Sequence, residues 1–389
     1  MADVGFPLPR TGFSGLNPLP CHASEAFMQI KAALCREFGR PLSIETLDLA
    51  PPGRGEVLVD VKACAICHSD ISYADGDWGG TLPAVYGHEA AGVVSAVGPD
   101  VRTAKPGDHV VVTLIRSCGH CHYCVRHSLV MCEEVFPLDQ KGPLTLSTGE
   151  ACEQGLRTGA FAEKVVVHES QLAQIPEDIA FDVASLLACG VITGYGAVAN
   201  TAKVAPGHAV AVIGCGGVGL NSIQGAALAG ASPVIAIDLS PDKLAAAETF
   251  GATHGFSPAD PDHAKEIRHL TQGRGVDFVF VTVGVEAALA SAPRYITRNG
   301  AVIVVGMPPN GVRIPYDPGK LAAWNQKIIG SKMGETRIAH DIPILVEHYR
   351  KGRLKLDELV TARYRLEEIN EAIAAVKQGR ALRNVLVFD

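Results

Sequence analysis

The sequence predicts a chain of the α/β plus β class, in which an all-β part is followed by a part built on a doubly wound parallel sheet. Two observations predict this division. From residue 29 to about 188, short β-branched runs are broken by proline and glycine, which is typical of short strands joined by turns. From about 191 to 331, continuous apolar strands alternate with helical patterns, as in a parallel sheet covered on both faces. The 389 residues are enough for two separate cores.

The all-β part is predicted to follow an N-terminal extension, residues 1–27. This stretch contains prolines, glycines and Asp3 but no basic start followed by an apolar core, so we predict a poorly ordered extension and not a signal peptide. A cytoplasmic location is the expectation that follows. Strands are predicted at 29–34, 55–62, 90–97, 109–113 and 161–167.

The α/β part contains four continuous apolar strands, predicted at 209–213, 233–237, 278–281 and 301–305. Helices are predicted between them, for example at 220–229 and 243–250. The tail after Lys332 is predicted to hold helices near 340–352 and 366–379 and a last strand at 384–388.

Composition excludes several classes of partner. The formal net charge of −7 is spread along the chain and leaves no basic face, so we expect no nucleic-acid partner and no anionic lipid partner. The longest apolar stretches, such as 210–213, are far too short to cross a bilayer, so no membrane partner is expected.

Four cysteines lie close together in one loop. Cys118, Cys121, Cys124 and Cys132 have the short spacing of a closed, tetrahedral zinc site, which stabilises a lobe at 116–133 and has no open position for chemistry. The neighbouring histidines, His120, His122 and His127, could compete as ligands. Because four thiolates already complete a tetrahedron, we assign these histidines to the surface.

A glycine-rich motif follows the strand at 209–213 and opens a helix. The strand and helix context, with Asp238 ending the next strand nineteen residues after the last glycine, indicates a dinucleotide site. The Asp238 carboxylate would accept hydrogen bonds from ribose hydroxyls and repel a 2′-phosphate, which favours NAD over NADP. The predicted loop residues are Gly214, Gly216, Gly217, Val218 and Gly219.

Three more motifs flank these two sites: Cys-His-Ser-Asp at 67–70, Gly-His-Glu at 87–89, and a glycine-rich run that begins at Cys189. In this order the motifs resemble those of the zinc-dependent medium-chain alcohol dehydrogenases, over residues 28–389. The resemblance implies a GroES-like β-barrel catalytic domain over 28–190 and a Rossmann NAD-binding domain over 191–331. Residues 332–389 would return to complete the catalytic domain.

The resemblance also implies a catalytic zinc site made by Cys67, His88 and Cys189, in addition to the zinc of the four-cysteine lobe. Spacing alone does not assemble this set, because about a hundred residues separate His88 from Cys189. A three-ligand site leaves a position open for substrate. The alternative for Cys67 is a redox pair with Cys64, which the strand-like alternation at 62–66 disfavours.

Further roles are carried over from the family by position. Ser69 would receive the alcohol proton, Asp70 would orient His88, and Glu89 would lie near the metal. The predicted NAD contacts are His68 and Arg383 at the pyrophosphate, Lys243 at the adenosine ribose, and Thr193 at the nicotinamide. Val305 is also predicted to contact NAD. Ser72 stands where liver-type members often have the histidine that ends the proton relay, so the last proton must pass through water or another group.

The predicted reaction is the oxidation of a small-molecule primary alcohol, medium-chain or aromatic, to its aldehyde. Trp78 resembles an indole that narrows the pocket, and Phe136 is assigned to the same pocket. Glutathione-dependent formaldehyde dehydrogenases usually have an arginine where Phe136 stands, so that activity is the alternative. An alternative of another class is a zinc-stabilised nucleotide-binding protein without turnover. The segment 132–161 approaches the length found in dimeric relatives, so the resemblance implies a homodimer rather than a tetramer, joined through the strand at 301–305.

Overall fold

The computed structural model describes residues 27–389. Residues 1–26, which make up almost all of the predicted N-terminal extension, lie outside the described residues. The predicted first strand is present and is slightly longer than expected, at Met28–Cys35.

The first part of the chain contains ten strands and two helices. The strands are β1 (Met28–Cys35), β2 (Ser43–Leu49), β3 (Glu56–Ala65), β4 (Ala84–Val85), β5 (Glu89–Val97), β6 (His109–Val112), β7 (Leu144–Leu146), β8 (Ala151–Gln154), β9 (Lys164–His168) and β10 (Leu172–Gln174). The helices are α1 (His68–Asp75) and α2 (Pro137–Gln140).

These strands form the predicted β-barrel. Strands β1, β2, β7, β8 and β4 close into a barrel, because β4 pairs with both β1 and β8. A second sheet contains β10, β6, β5 and β3, with β9 paired to the first half of β3. The inward-facing residues of both sheets are buried and apolar, so the two sheets share one core.

The second part alternates helices and strands. It contains α3 (Phe181–Ser185), α4 (Gly190–Gly196), β11 (Val210–Ile213), α5 (Gly217–Leu228), β12 (Val234–Ile237), α6 (Pro241–Thr249), β13 (His254–Phe256), α7 (His263–Leu270), β14 (Val276–Val281), α8 (Glu286–Ser291), β15 (Ile296–Val304), α9 (Pro318–Ala323) and β16 (Lys327–Gly330).

Its six strands form one parallel sheet in the order β13-β12-β11-β14-β15-β16, which is the doubly wound arrangement predicted from the sequence. Strands β11 and β12 are buried along their whole length, because helices cover both faces. The predicted helix at 220–229 begins three residues earlier, since the motif glycines Gly217 and Gly219 already belong to α5.

One expectation is wrong. The strand proposed for the dimer contact, β15, lies between β14 and β16 and has no free edge. The edge strand on this side of the sheet is β16. It was not predicted because its four residues carry only two apolar side chains, Ile328 and Ile329.

The tail contains α10 (Ile338–Arg350), β17 (Val360–Tyr364), α11 (Ile369–Lys377) and β18 (Arg383–Val387). Strand β18 pairs antiparallel with the end of β3, with Val385 opposite Ala65, and β17 pairs with β18. The tail therefore joins the first part of the chain, and it places the start of β18 beside the segment that follows β3.

Candidate active site and metal centres

Strand pairing brings Cys67 and His88 together. β3 ends at Ala65, two residues before Cys67, and β5 begins at Glu89, directly after His88. Ala65 and Glu89 are paired in the antiparallel register of these two strands. Both predicted ligands are buried, with Cys67 6% and His88 0% exposed.

Asp70 fixes the geometry of both side chains. It lies in the first turn of α1, where one carboxylate oxygen accepts a hydrogen bond from the backbone N–H of Cys67 at 3.0 Å. The other oxygen lies 2.9 Å from the backbone nitrogen of Gly87 and 2.8 Å from Nδ1 of His88. Asp70 therefore orients the His88 ring so that Nε2 faces away from α1 and toward the cysteines.

Cys189 completes the cluster from the start of α4. One ligand atom from each of Cys67, His88, Glu89 and Cys189 lies within 4.8 Å of the others, and all four residues are buried. Residues that are distant in the sequence thus converge on one point between the two parts of the chain.

The chemistry of this cluster fits a divalent metal ion. Although fully buried, Nε2 of His88 and Oε1 of Glu89 have no hydrogen-bond partner among the described residues, which is costly unless another group binds them. A hydrogen bond from the Cys189 thiol lowers the pKa of Cys67 well below its usual value. Two sulfur ligands and one imidazole with a carboxylate partner are a donor set that zinc prefers.

Arg383 links this cluster to the nucleotide loop. Its guanidinium forms a buried ion pair with Glu89, using the second carboxylate oxygen, and its side chain is 6% exposed. A Cβ atom at Gly190 would lie 3.5 Å from the guanidinium, and one at Gly217 would lie 2.6 Å from its Cδ. The arginine therefore runs from β18 past α4 to the glycine-rich loop, where the pyrophosphate of a dinucleotide was predicted.

The glycine-rich loop has room for a ligand at one position and none at another. A Cβ atom at Gly219 would lie 1.7 Å from the carbonyl oxygen of Gly214, so only glycine permits this contact. At Gly216, the residue before α5, a Cβ atom would meet nothing within 4 Å. The loop thus leaves open space at the N-terminus of a twelve-residue helix, where an anion is favoured.

Asp238 lies beside this loop at the end of β12. Its two carboxylate oxygens accept hydrogen bonds from the backbone N–H groups of Cys215 at 2.7 Å and Ser240 at 2.9 Å. Lys243 lies one turn into α6, and its backbone N–H is capped by the Ser240 hydroxyl at 3.4 Å.

His68 is the first residue of α1, and Val305 lies at the carboxyl end of the parallel sheet. Loss of hydration lowers the pKa of His68, and the charges of Arg383 and Lys243 lower it further, while Cys67 opposes them. Val305 directly follows β15, and its N–H donates to the carbonyl of Val281 at 2.9 Å.

Ser69 is half-buried in the first turn of α1, two residues after Cys67. Thr193 lies one turn into α4, with its hydroxyl 3.9 Å from the Cys189 sulfur. Met333 was not among the predicted site residues, but its sulfur lies 3.9 Å from the Cys189 sulfur and 3.7 Å from the Thr193 hydroxyl. No sequence signal marks Met333, because its position depends on how the turn at 333–335 packs against α4.

The four lobe cysteines converge as a second cluster, with one sulfur atom from each within 4.8 Å of the others. The Cys118–Cys124 and Cys121–Cys132 sulfur pairs are 4.0 and 3.9 Å apart, so these are free thiols around a common point. Backbone N–H groups of the loop donate to the sulfur atoms of Cys132 and Cys118, each at 3.3 Å. His120, His122 and His127 are exposed, although His120 also lies near Cys118 and Glu134.

Two family models match the chain in the same order as its two parts. The model described as the alcohol dehydrogenase GroES-like domain matches residues 53–177, and the model described as zinc-binding dehydrogenase matches residues 217–350. A relative named NDMA-dependent alcohol dehydrogenase, from Amycolatopsis methanolica, is 36% identical over 93% of this chain and the whole length of that protein. The chain belongs to the zinc-dependent medium-chain alcohol dehydrogenase family.

Solved structures of alcohol dehydrogenases have the same fold as this enzyme. An alcohol dehydrogenase zinc-binding domain protein from Burkholderia ambifaria superimposes with a TM-score of 0.89 at 35% identity, over 93% of this chain and 99% of that one. The benzyl alcohol dehydrogenase of Acinetobacter calcoaceticus superimposes with a TM-score of 0.87 at 30% identity, over 93% of this chain and 100% of that one.

The two residues predicted to line the substrate pocket have packing contacts in the enzyme. Trp78 is half-buried, and its ring meets Tyr73 edge-on at 5.2 Å. Phe136 is 6% exposed and packs against His168 at 4.7 Å and beneath the guanidinium of Arg116 at 5.6 Å. Phe136 therefore offers a substrate little surface, and its pocket role stays a prediction.

No single helix within residues 27–389 is both long enough and apolar enough to cross a membrane. One bent pair of helices, at 181–188 and 190–202, meets the criterion together, by length and composition only.

Proposed function

We propose that this enzyme oxidises a primary alcohol to its aldehyde with NAD as hydride acceptor, using a zinc ion held by Cys67, His88 and Cys189. The observation that carries the proposal is the buried, unpartnered Nε2 of His88, which Asp70 aims at two cysteine sulfur atoms. When bound there, zinc supplies Lewis acidity that lowers the pKa of an alcohol hydroxyl.

The protein's own residues orient the reactants. Asp70 holds the His88 ring, and the Glu89–Arg383 ion pair neutralises a carboxylate that would otherwise be buried unpaired next to the cluster. Ser69 stands two residues from Cys67, and we assign its hydroxyl to accept the alcohol proton and pass it on toward the coenzyme ribose. Ser72 cannot act as a base near pH 7, so we assign final proton release to water.

The preference for NAD over NADP is inferred from Asp238. Its carboxylate stands beside the open space at Gly216, at the place where the adenosine ribose of a dinucleotide binds in such loops. A negative charge there repels the 2′-phosphate of NADP. The related enzyme from Amycolatopsis methanolica is named as NDMA-dependent, so an assay must also ask whether added NAD is enough as acceptor.

Benzyl alcohol is the first substrate to test, because a structural relative is a benzyl alcohol dehydrogenase and Trp78 brings an aromatic ring to the α1 end of the barrel part. Phe136 in place of an arginine disfavours the glutathione-adduct activity. The alternative of a nucleotide-binding protein without turnover is disfavoured, because the residues needed for catalysis are all present: Cys67, Ser69, His88 and Cys189.

The test is oxidation of benzyl alcohol or hexanol by zinc-replete protein, followed as aldehyde formation, in separate assays with NAD, NADP, and NAD plus NDMA. A parallel assay uses formaldehyde with and without glutathione. We expect turnover with NAD alone, little with NADP, and no glutathione requirement. Turnover that strictly needs NDMA would refute NAD as a free co-substrate, and formaldehyde oxidation that needs glutathione would favour the alternative.

The control variant for this assay is Ser69→Ala. It removes the proposed proton acceptor and none of the metal ligands, so the zinc content is expected to stay unchanged while kcat falls.

We infer one zinc ion in the cysteine lobe in addition to the catalytic one. A homodimer is proposed, with contact through the open edge of β16, because an unpaired strand edge is a ready site for pairing with a second copy. A tetramer is the alternative. The cytoplasmic location stays a prediction from the sequence.

A further inference from the structure

Two cationic residues lie in segments that contact the catalytic cluster, and neither has a role in the proposed reaction. The first is Arg157, in a segment that runs directly alongside Gly87 and His88. Three residues after Arg157, the N–H of Ala160 donates to the carbonyl of Gly87 at 2.8 Å. The side chain of Arg157 is 42% exposed, so it can meet a ligand that approaches from solvent.

The second is Lys332, which lies between β16 and α10 in a segment that contacts the cluster. It directly precedes Met333, whose sulfur lies 3.9 Å from that of Cys189. Lys332 is exposed. Partial loss of hydration and the positive charge of Arg157 lower the pKa of its ammonium group. The segments that carry Arg157 and Lys332 thus both contact the catalytic cluster, one at Gly87 and the other at Cys189.

The positive charge here exceeds the negative charge close by. One carboxylate oxygen of Asp139 lies 3.0 Å from the guanidinium of Arg116 and 3.4 Å from that of Arg157. Asp139 can balance only one of these charges, and Lys332 forms no ion pair within residues 27–389. Glu56 acts on Arg116 from a greater distance. Arg116, Arg157 and Lys332 therefore carry more positive charge than the neighbouring Asp139 balances.

The backbone around Arg157 is held in an uncommon conformation. Leu156 and Arg157 both have left-handed backbones, with φ of 53° and 59°, which residues with side chains seldom adopt. The carbonyl of Arg157 accepts hydrogen bonds from Arg116 at 3.1 Å and from Gln171 at 3.0 Å, and both donors are buried. Such conformations persist where the surroundings fix them, and they concentrate at functional sites.

The backbone that follows Lys332 is also held in an uncommon conformation. Met333, Gly334 and Glu335, which follow it, are all left-handed, with φ of 49°, 62° and 49°. The carbonyl of Gly334 accepts a hydrogen bond from Asn200 at 3.0 Å, and the carbonyl of Met333 accepts one from Thr336 at 2.7 Å. Both cations therefore extend from well-defined turns.

We propose that Arg157 and Lys332 together bind an anionic group of the substrate, so that the preferred alcohols carry a carboxylate or a phosphate at a distance from the reacting hydroxyl. This inference rests on the proposed alcohol oxidation and names its substrate class. Arginine suits the task because its planar guanidinium matches the oxygen pairs of carboxylate and phosphate. Lysine adds a second charge from the other side of the site.

The test compares alcohols that differ only in one group of the ring. The substrates are para-(hydroxymethyl)benzoate, para-(hydroxymethyl)phenyl phosphate and the neutral para-methylbenzyl alcohol, assayed in the same buffer of low ionic strength. We expect kcat/KM to be at least about tenfold higher for one anionic alcohol than for the neutral one, as for a hydrogen-bonded charge pair. Comparison of the two anions identifies which group fits the site.

Variants assign the effect to the two residues. Lys332→Met and Arg157→Gln are each expected to reduce the anionic-to-neutral ratio of kcat/KM by roughly tenfold. The matched control is Lys265→Met, an exposed lysine on α7, for which the ratio is expected to stay unchanged. Because Arg157 also pairs with Asp139, Lys332→Met keeps the test valid if the other variant does not fold.

A binding measurement that needs no turnover supports the kinetic test. para-Toluate, the carboxylate without the hydroxyl, is expected to bind the wild-type enzyme in calorimetric titration and to bind Lys332→Met at least several-fold more weakly. Turnover of the neutral alcohol with no preference for either anion would overturn this inference and leave the proposed function standing. No turnover of any of the three alcohols would overturn the proposed function itself.

Discussion

Oδ1 of Asp70 lies 2.8 Å from Nδ1 of His88, and this contact leaves Nε2 of the ring facing the two cysteines of the catalytic cluster. Burial alone would lower the pKa of His88, but the charge and the hydrogen bond of Asp70 raise it to about 10. The site therefore favours positive charge at this point, whether a proton or a metal ion supplies it.

The first prediction concerns this contact. Asp70→Asn keeps the shape of the side chain but removes its charge, so the ring loses its electrostatic partner. We expect a 10- to 100-fold loss of zinc affinity or of kcat/KM, roughly the cost of losing such a partner. Asp77→Asn, an exposed carboxylate just beyond α1, is the control. Equal activity and zinc content in Asp70→Asn and wild type would contradict the role given to Asp70.

The second prediction separates packing from coenzyme binding in the glycine-rich loop. Gly219→Ala would place a methyl group 1.7 Å from the carbonyl of Gly214, so we expect a loss of about 2 kcal/mol in the free energy of unfolding, measured in urea. Gly216→Ala meets nothing within 4 Å, so its stability should be close to that of wild type while KM for NAD rises. Equal NAD affinity in Gly216→Ala and wild type would argue against a pyrophosphate at this position.

The third prediction concerns the choice of coenzyme. Asp238→Asn removes the charge that repels a 2′-phosphate, so the preference for NAD over NADP in kcat/KM is expected to fall by about tenfold, or 1.4 kcal/mol. Asp242→Asn, an exposed carboxylate in the first turn of α6, should leave the preference unchanged. A wild-type enzyme that uses both coenzymes equally would refute the role of Asp238 before any variant is made.

The fourth prediction concerns the cysteine lobe. Cys121→Ser removes one of four converging sulfur atoms, so the lobe is expected to lose its zinc and the melting temperature to fall. His120→Ala, also in the lobe but exposed, should retain full zinc content. If His120→Ala lost the metal instead, the ligand set would be the alternative one of Cys118, His120 and Glu134.

How much of this could be predicted from the sequence depends on how far apart the interacting residues lie. The lobe and the glycine-rich loop are each formed within a short segment. Spacing predicts the lobe, and spacing together with the flanking strand and helix predicts the loop. The cluster of Cys67, His88 and Cys189 depends on the pairing of β3 with β5 and on the packing of α4, so only the family resemblance indicated it.

Some residues carried no sequence signal. Met333, which contacts Cys189, and Arg157, which we propose binds substrate, both lie in left-handed turns that neighbouring hydrogen bonds fix. The edge strand β16 was missed because its four residues, two of them apolar, lack the continuous apolar run of the inner strands.

The most direct test of the account is a zinc titration that is followed by metal content and by alcohol-dependent NADH formation together. Metal-stripped wild type and Cys189→Ser are compared, because this variant loses a catalytic ligand and keeps all four lobe cysteines. We predict two zinc ions per wild-type chain and one in Cys189→Ser, with activity present only in wild type and rising with the second ion. Full activity in wild type with one zinc ion, or activity in Cys189→Ser, would contradict the account.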